Sequence, residues 1–341
     1  MSTEHSTSGE GPLDTRRSRG QIIVARALWY VKPGAAELRN ERLSPLTPSD
    51  ARVATEFSAI SRGTERLVAR GEVPESEWPR MRAPLQAGDF PFPVKYGYSA
   101  AGVVTAGPHE IVGRRVFALH PHQDHFQTAA SNLVPIPDAV PSRRATLAAN
   151  METALNAHWD AATAPGDRIL VVGAGIVGLL VAYLAHRIAG TDVTITDIDP
   201  TRAETAKALG LKFAAPGHCP EDCRLVFHTS ASSDGLATAI ASAAFEGTII
   251  EMSWYGSRPV TVELGGAFHS RRLKLVSSQV GHVAPSHRAQ VTLRARLERA
   301  LALLDDPALD CLVAETVPFA DLPVVLPQIW SSATLPPVIA Y

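Results

Sequence analysis

Cysteine is scarce: the chain of 341 residues holds three, Cys219, Cys223 and Cys311. An odd, low count excludes a disulfide framework and fits a reducing compartment, so a cytoplasmic location is expected. Excess charge is missing too, with 32 Lys and Arg against 34 Asp and Glu. That balance removes the basic footprint of a nucleic-acid or anionic-membrane binder. The longest apolar stretch, Ile169 to Ala185, is interrupted by three glycines and a change of period, which makes it a poor transmembrane segment. No apolar core of a signal peptide stands at the start; residues 1–20 read as a polar, disordered tail. Internal repeats are absent. What remains, 45% hydrophobic and 19% charged, is a globular protein long enough for two domains.

From Gln21 to about Val140 the chain reads as short β-rich segments broken by Gly and Pro, among them QIIVARALWYV, RVATEFSAIS, SAAGVVTAG, RRVFALHPH and SNLVPIP. The character then changes. Helical, alanine-rich spacing over Arg143–Ala162 leads to alternating strands and helices: ILVVG, VTITD, RLVFHTS, a helix to about Phe245, TIIEMSW and LKLVSS. Such alternation implies an α/β fold with a parallel sheet. The nearly continuous apolar strands fit a sheet covered on both faces. One amphipathic helix, VTLRARLERALALL, and a β-like end, PPVIAY, follow.

The strongest motif is Gly173-Ala-Gly175-Ile176-Val177-Gly178, after a strand and before a helix. A lone GxGxxG is weak, but here a second strand ends in an acid, Asp197, 24 residues after Gly173. Gly173 permits the tight turn, Gly175 lets backbone approach a pyrophosphate, and Gly178 allows close helix–strand packing. The helix start carrying Ile176 and Val177 offers N–H groups to phosphate. Asp197 can accept ribose hydroxyls and repels a 2′-phosphate, which favours NAD. Arg202 could hold that phosphate, so NADP stays open. Thr229, Ser253 and Ser278 end later strands, along the edge where a doubly wound sheet binds its ligand, and are further cofactor candidates.

The stretches SAISRGTERLVARG, PVKYGYSAAGVVTAG, GRRVFALHPH, SNLVPIPD, PGDRILVVGAGIVGLL and FHSRRLKLVSSQVG give residues 22–341 a resemblance to the medium-chain dehydrogenase/reductase superfamily of alcohol-dehydrogenase-like proteins. The SRGTERL segment is most similar to the bacteriochlorophyllide a dehydrogenase branch. The resemblance implies a Rossmann doubly wound parallel sheet plus a β-rich GroES-like catalytic domain. The expected boundaries are 21–148 for the catalytic domain, 149–282 for the Rossmann domain and 283–341 for a return to the first. A small-molecule substrate as partner and a homodimer are implied as well.

In the superfamily's zinc enzymes a Cys, a GHE motif and a further Cys or Glu hold the catalytic metal. Here the first position falls at Ser61, GHE reads Gly97-Tyr98-Ser99, and the last falls near Ala148 or Ala149. Serine, tyrosine and alanine do not make a tetrahedral zinc set, and the four cysteines of the structural zinc lobe are missing, so no zinc is expected. A hydrogen-bond donor must then stand where zinc would polarise the carbonyl. Tyr98, Ser99 and Ser61 are the first candidates, with space filling the plain alternative for Tyr98.

Glu152, four residues before Asn156 on the helix entering the Rossmann domain, is a further catalytic candidate, against a solvated helix carboxylate. His120 is the last, in His120-Pro-His122-Gln-Asp124-His125. There an extended backbone would turn His120 and His122 to one face, yet no third metal ligand has a recognisable spacing. Cys219 and Cys223 read as a surface loop, and Trp254 and Tyr255 as a pocket wall or interface packing. The expected activity is an NAD(H)-dependent, zinc-independent oxidoreductase acting on an alcohol or carbonyl. The alternatives are an NADPH-dependent quinone or enone reductase and a non-catalytic dinucleotide sensor.

Overall fold

The computed structural model describes residues 23–341, so the expected polar tail over residues 1–20 lies outside the described residues. A hairpin of β1 (Val24–Lys32) and β2 (Ala35–Arg42) turns at Gly34, whose φ of +74° is the left-handed region open to glycine. Then follow β3 (Asp50–Ala59), α1 (Arg62–Arg70), β4 (Ala87–Gly88), β5 (Val94–Lys95), β6 (Ala100–Ala106), β7 (Arg115–Ala118), β8 (His125–Ala129) and β9 (Val134–Pro135). Helices α2 (Ser142–Ala145) and α3 (Ala148–Ala161) lead into β10 (Arg168–Val172), α4 (Ile176–His186), β11 (Asp192–Thr196), α5 (Arg202–Ala208) and β12 (Lys212–Ala214). Next come β13 (Cys223–His228), α6 (Ser233–Ser242), β14 (Ala243–Glu251) and β15 (Lys274–Ser277). The chain closes with α7 (Leu293–Ala302), β16 (Thr316–Pro318), α8 (Leu322–Ser331) and β17 (Val338–Ala340).

Three sheets result. A four-stranded sheet runs β2-β1-β5-β4, and a seven-stranded one runs β16-β17-β3-β6-β7-β9 with β8 on β3. The third is six-stranded and parallel, in the order β12-β11-β10-β13-β14-β15, the doubly wound arrangement. Its inner strands β10 and β13 are buried almost throughout because helices cover both faces. The final strand β17 pairs antiparallel with β3, Val338 opposite Ala59, so the chain's end joins the sheet of its beginning. Among the described residues, no helix is long and apolar enough to cross a membrane.

Several elements differ from the sequence reading. The single helix expected over Arg143–Ala162 is two, α2 and α3, and the Thr146 hydroxyl donates to the Arg143 carbonyl at the break (2.7 Å). The helix expected to reach Phe245 ends at Ser242. Ala243 instead pairs with Cys223 in the parallel ladder, a tertiary contact that overrides alanine's helical preference. Helix α1 escapes a periodicity reading because its buried face includes a glutamate, Glu65. Helix α8 hides behind prolines, one in its first turn and Pro327 inside it.

Glu152 requires a correction. It lies buried on α3, neither solvated nor free, and its Oε1 accepts from Nε of Arg296 on α7 at 3.0 Å. Arg296 also donates to Asn156 Oδ1 (2.6 Å), to the His282 carbonyl (2.9 Å) and to the carbonyl of Val280. Burial raises the Glu152 carboxyl, and Arg296 pulls it back down. The carboxylate is thus committed to docking α7 on α3 and leaves the catalytic set. Removing one partner of a buried pair strands the other charge, so Arg296→Met should cost about 3–5 kcal/mol. Denaturant unfolding measures this; a loss below about 1 kcal/mol, the size of an exposed pair, would contradict it.

Candidate active site

The register of the parallel sheet assembles the site's floor. Val172 lies opposite Thr196 and His228, His228 opposite Glu251, and Glu251 opposite Ser277. The residues that follow, Gly173, Asp197, Thr229, Met252 and Ser278, therefore line one carboxyl edge, where doubly wound sheets take their ligands.

At its centre the glycine turn is locked from three sides. Gly173 has φ +108°, and a Cβ on Gly178 would fall 1.9 Å from the Gly173 carbonyl oxygen, so both positions demand glycine. Around Gly175 a Cβ would meet nothing within 4 Å, which leaves open space above the turn for a ligand. Thr229 Oγ1 donates to the carbonyls of Gly173 (2.9 Å) and Val172 (3.1 Å). Asp197 Oδ2 accepts from the N–H of Ala174 at 2.6 Å, and Oδ1 from Asp199 N–H at 2.9 Å. Half-buried Ile176 and Val177 open α4.

Other cofactor candidates are partly committed elsewhere. Arg202 is buried, 3.5 Å from Asp199 and hydrogen-bonded to the Ala333 carbonyl, so it anchors the C-terminal segment. The Ser278 hydroxyl donates a hydrogen bond to Asp160 Oδ2 on α3 (2.7 Å). Ser253 Oγ accepts from Ala231 N–H at 3.1 Å and supports the loop after β13. Sequence reasoning missed Arg62. Its guanidinium donates to the carbonyls of Ser332 (2.7 Å) and Thr334 (2.6 Å), and it is lowered by burial, then by Arg202 and Arg66, with Asp197 and Asp199 opposing.

Beside this edge lies a second polar set, also unforeseen. Buried His228 shares a hydrogen from Nδ1 with Glu251 Oε2 (2.7 Å) and meets Ser230 Oγ through Nε2 (2.7 Å). The Tyr255 hydroxyl donates to the same carboxylate at 3.1 Å. Burial would raise the Glu251 carboxyl, but the bonds from His228 and Ser253 bring it below its usual range.

The hydroxyl candidates converge. Tyr98 is half-buried and touches both the core of the Rossmann sheet and the core of the N-terminal sheets, which places it where the two units meet. Burial pushes its phenol up to about 12, and the nearby Ser61 and Thr64 side chains counter that in part. At neutral pH it is therefore a protonated donor. Ser61 stands at the N-cap of α1, its N–H donating to Glu65 Oε1 at 2.7 Å. Ser99 is buried, and its carbonyl receives the Ala59 N–H (2.9 Å) as part of the β3–β6 connection.

Glu65 carries this corner. It is fully buried, with Oε2 taking the Tyr30 hydroxyl at 3.0 Å and meeting His122 Nε2 at 2.9 Å. His122 continues through Nδ1 to Ser58 Oγ (2.8 Å), which meets the Tyr341 hydroxyl at 2.9 Å. His120 does not share that face. It stacks on Phe126 with centroids 3.9 Å apart, its Nδ1 bonds the Pro121 carbonyl, and burial lowers it to about 3. Burial thus keeps this imidazole neutral at physiological pH, and its Nδ1 is occupied by the Pro121 carbonyl. Among the described residues no three His, Cys, Asp or Glu side chains converge as a metal site.

The family model for ketopantoate reductase PanE/ApbA matches residues 169–241, β10 through α6. An L-threonine 3-dehydrogenase of Sinorhizobium medicae is 32% identical over 127 residues, and a zinc-type alcohol dehydrogenase-like protein of Haemophilus influenzae is 26% identical over 144. The threonine dehydrogenase match spans 36% of this chain and 36% of the relative, so the chain covers about a third of that relative's length. Solved structures align far more fully. A zinc-binding dehydrogenase from Sinorhizobium meliloti bound to NADP gives a TM-score of 0.75 at 16% identity, over 94% of this chain and all of that one. L-idonate 5-dehydrogenase from Escherichia coli gives 0.76 at 12% identity, over 94% and 99%. The fold is that of the medium-chain alcohol dehydrogenases, a Rossmann sheet joined to a β-rich GroES-like domain.

The glycine geometry separates two substitutions. Gly178→Ala must displace the Gly173 carbonyl and should lower both the unfolding midpoint and NADH affinity. Gly175 has an ordinary φ of −75°, so Gly175→Ala should leave the midpoint unchanged and still weaken NADH, because its methyl enters the open space. Calorimetric melting and NADH titration check the pair. Equal behaviour of the two variants would contradict it.

Proposed function

We propose that this protein is an NAD(H)-dependent medium-chain oxidoreductase that exchanges hydride with an alcohol or carbonyl substrate without zinc. The observation that carries the reading is the hydroxyl cluster of Tyr98, Ser61 and Thr64 at the junction of the two units. By the resemblance, Ser61 and Tyr98 take positions at which the superfamily's zinc enzymes carry metal ligands, and burial favours the protonated form of Tyr98. The absence of Cys, His or carboxylate at Ser61, Tyr98, Ser99 and Ala148 supports the zinc-lacking branch, as does the SRGTERL likeness to bacteriochlorophyllide a dehydrogenases.

The residues fit a dinucleotide. Open space at Gly175, the start of α4 and the carboxylate of Asp197 can receive pyrophosphate and ribose. When bound, the nicotinamide supplies or accepts the hydride. The chain's own part is to hold the substrate oxygen with the Tyr98 hydroxyl as charge changes there, with Ser61 supporting that hydroxyl. Arg62, beside Asp197 and Asp199, favours a second reading, an NADPH-dependent quinone or enone reductase, since its guanidinium could answer a 2′-phosphate. A homodimer is supported by β15, an edge strand that exposes Leu275 and Val276 and offers its free side for antiparallel pairing with a second copy.

Titration with NADH and NADPH, followed by a panel of alcohols, ketones and quinones, tests the class. Tyr98→Phe tests the mechanism, since it keeps the ring and removes the donor. Turnover should fall by about 10²–10³ while fold and NADH affinity persist. Turnover within about threefold of the parent, far short of that donor effect, would reduce Tyr98 to space filling.

A further inference from the structure

Helix α1 carries a second feature besides Ser61 and Glu65. Arg62, Arg66 and Arg70 recur every four residues and so share one helix face. At about 1.5 Å rise per residue the stripe is roughly 12 Å long. Its first member belongs to the corner of Asp197 and Asp199. The following turns meet the loop after β14, where Ser257 N–H donates to the Glu72 carbonyl at 3.1 Å. A Cβ on Gly256 would come within 2.6 Å of that oxygen, so the loop sits hard against the end of α1.

This docking brings a fourth arginine to the stripe. Arg258, exposed and held through Nε on the Tyr255 carbonyl (3.3 Å), follows Ser257 in this docked loop, and its charge acts on Arg66. Burial lowers the Arg66 guanidinium, and Arg70 and Arg258 lower it further. The opposing carboxylate is Glu72, whose ion pair is a loose 4.0 Å contact with Arg70. Like charges on adjacent helical turns repel, and three guanidiniums facing one acid cost stability. Planar guanidiniums brought from two elements to one place can grip an oxyanion through paired N–H bonds.

We propose that Arg66 and Arg258, flanked by Arg70, bind an anionic group of the substrate, a carboxylate or phosphate, where the loop after β14 docks on the end of α1. The proposal rests on the dehydrogenase reading for calling the ligand a substrate. The dinucleotide's own phosphates are provided for elsewhere, at the start of α4 and the Arg62 corner. Arg258 belongs to the loop that leaves β14, on the carboxyl edge where nicotinamide and substrate would meet, and Arg66 to the helix on which that loop docks.

Calorimetric titration of the whole protein with succinate and with inorganic phosphate, with and without saturating NADH, tests this. The proteins are the parent, Arg66→Gln, Arg258→Gln and, as a remote control, Arg294→Gln on α7; circular dichroism confirms folding. The expected result is anion binding that persists with NADH present and weakens about tenfold or more in the first two variants alone, as loss of a charged hydrogen bond implies. NADH affinity should be retained in both. Anion binding displaced by NADH would assign the arginines to the dinucleotide and overturn the proposal. So would equal binding in all four proteins, or none in the parent. If the parent binds no NADH, the dehydrogenase reading fails by itself, and the anion titrations still decide whether this is an anion site.

Discussion

The arrangement depends on one buried carboxylate. Glu65 has no solvent exposure, yet it ties the Tyr30 hydroxyl of β1, the backbone of Ser61 and the ring of His122 to one point. A carboxylate buried away from water is tolerated when its lone pairs are satisfied, and three donors do so here. The consequence is geometric. With the start of α1 pinned, Ser61 and Thr64 stand against Tyr98, and the arginine face of the helix turns toward the Rossmann unit. Gly97 belongs to the same constraint, since a side chain there would come within 3.1 Å of His122 Nε2.

The dinucleotide half was the most legible part of the sequence, and for a physical reason. Each glycine of the fingerprint answers a local steric demand, seen in Gly178 against the Gly173 carbonyl, and local demands leave local signatures. Asp197 was legible as well, although its hydrogen bond to Ala174 gives it a structural duty beside any ribose contact. The alternating strands and helices and the apolar strand composition likewise gave the α/β architecture, because both follow from burial on two faces.

The N-terminal site was legible only as a list of residue types. Glu65 and His122 are 57 positions apart, and Ser58 and Tyr341 are 283 apart, so no spacing rule links them. Glu152 misled for the opposite reason. Its local helix suggested a free carboxylate, and its partner Arg296 comes from a helix 144 residues later. His120 and His122 sit two apart in sequence, yet one stacks on Phe126 and the other bonds Glu65, because the segment after β7 is not the extended strand that alternation assumes. The arginine stripe could have been read from its four-residue spacing, had α1 been recognised as a helix.

The proposed function departs from the zinc enzymes whose fold this chain shares by putting hydroxyl chemistry in place of metal chemistry at one position. A tyrosine held in its protonated form by burial can donate a hydrogen bond to a substrate oxygen, whereas zinc would draw on that oxygen as a Lewis acid. The two mechanisms differ in a quantity that can be counted. Elemental analysis of the purified protein, paired with oxidation of NADH on the responsive substrate before and after exhaustive chelation, is the most direct test. The account predicts well below one zinc per chain and turnover indifferent to the chelator. Stoichiometric zinc, with turnover lost on its removal and regained on its return, would contradict it.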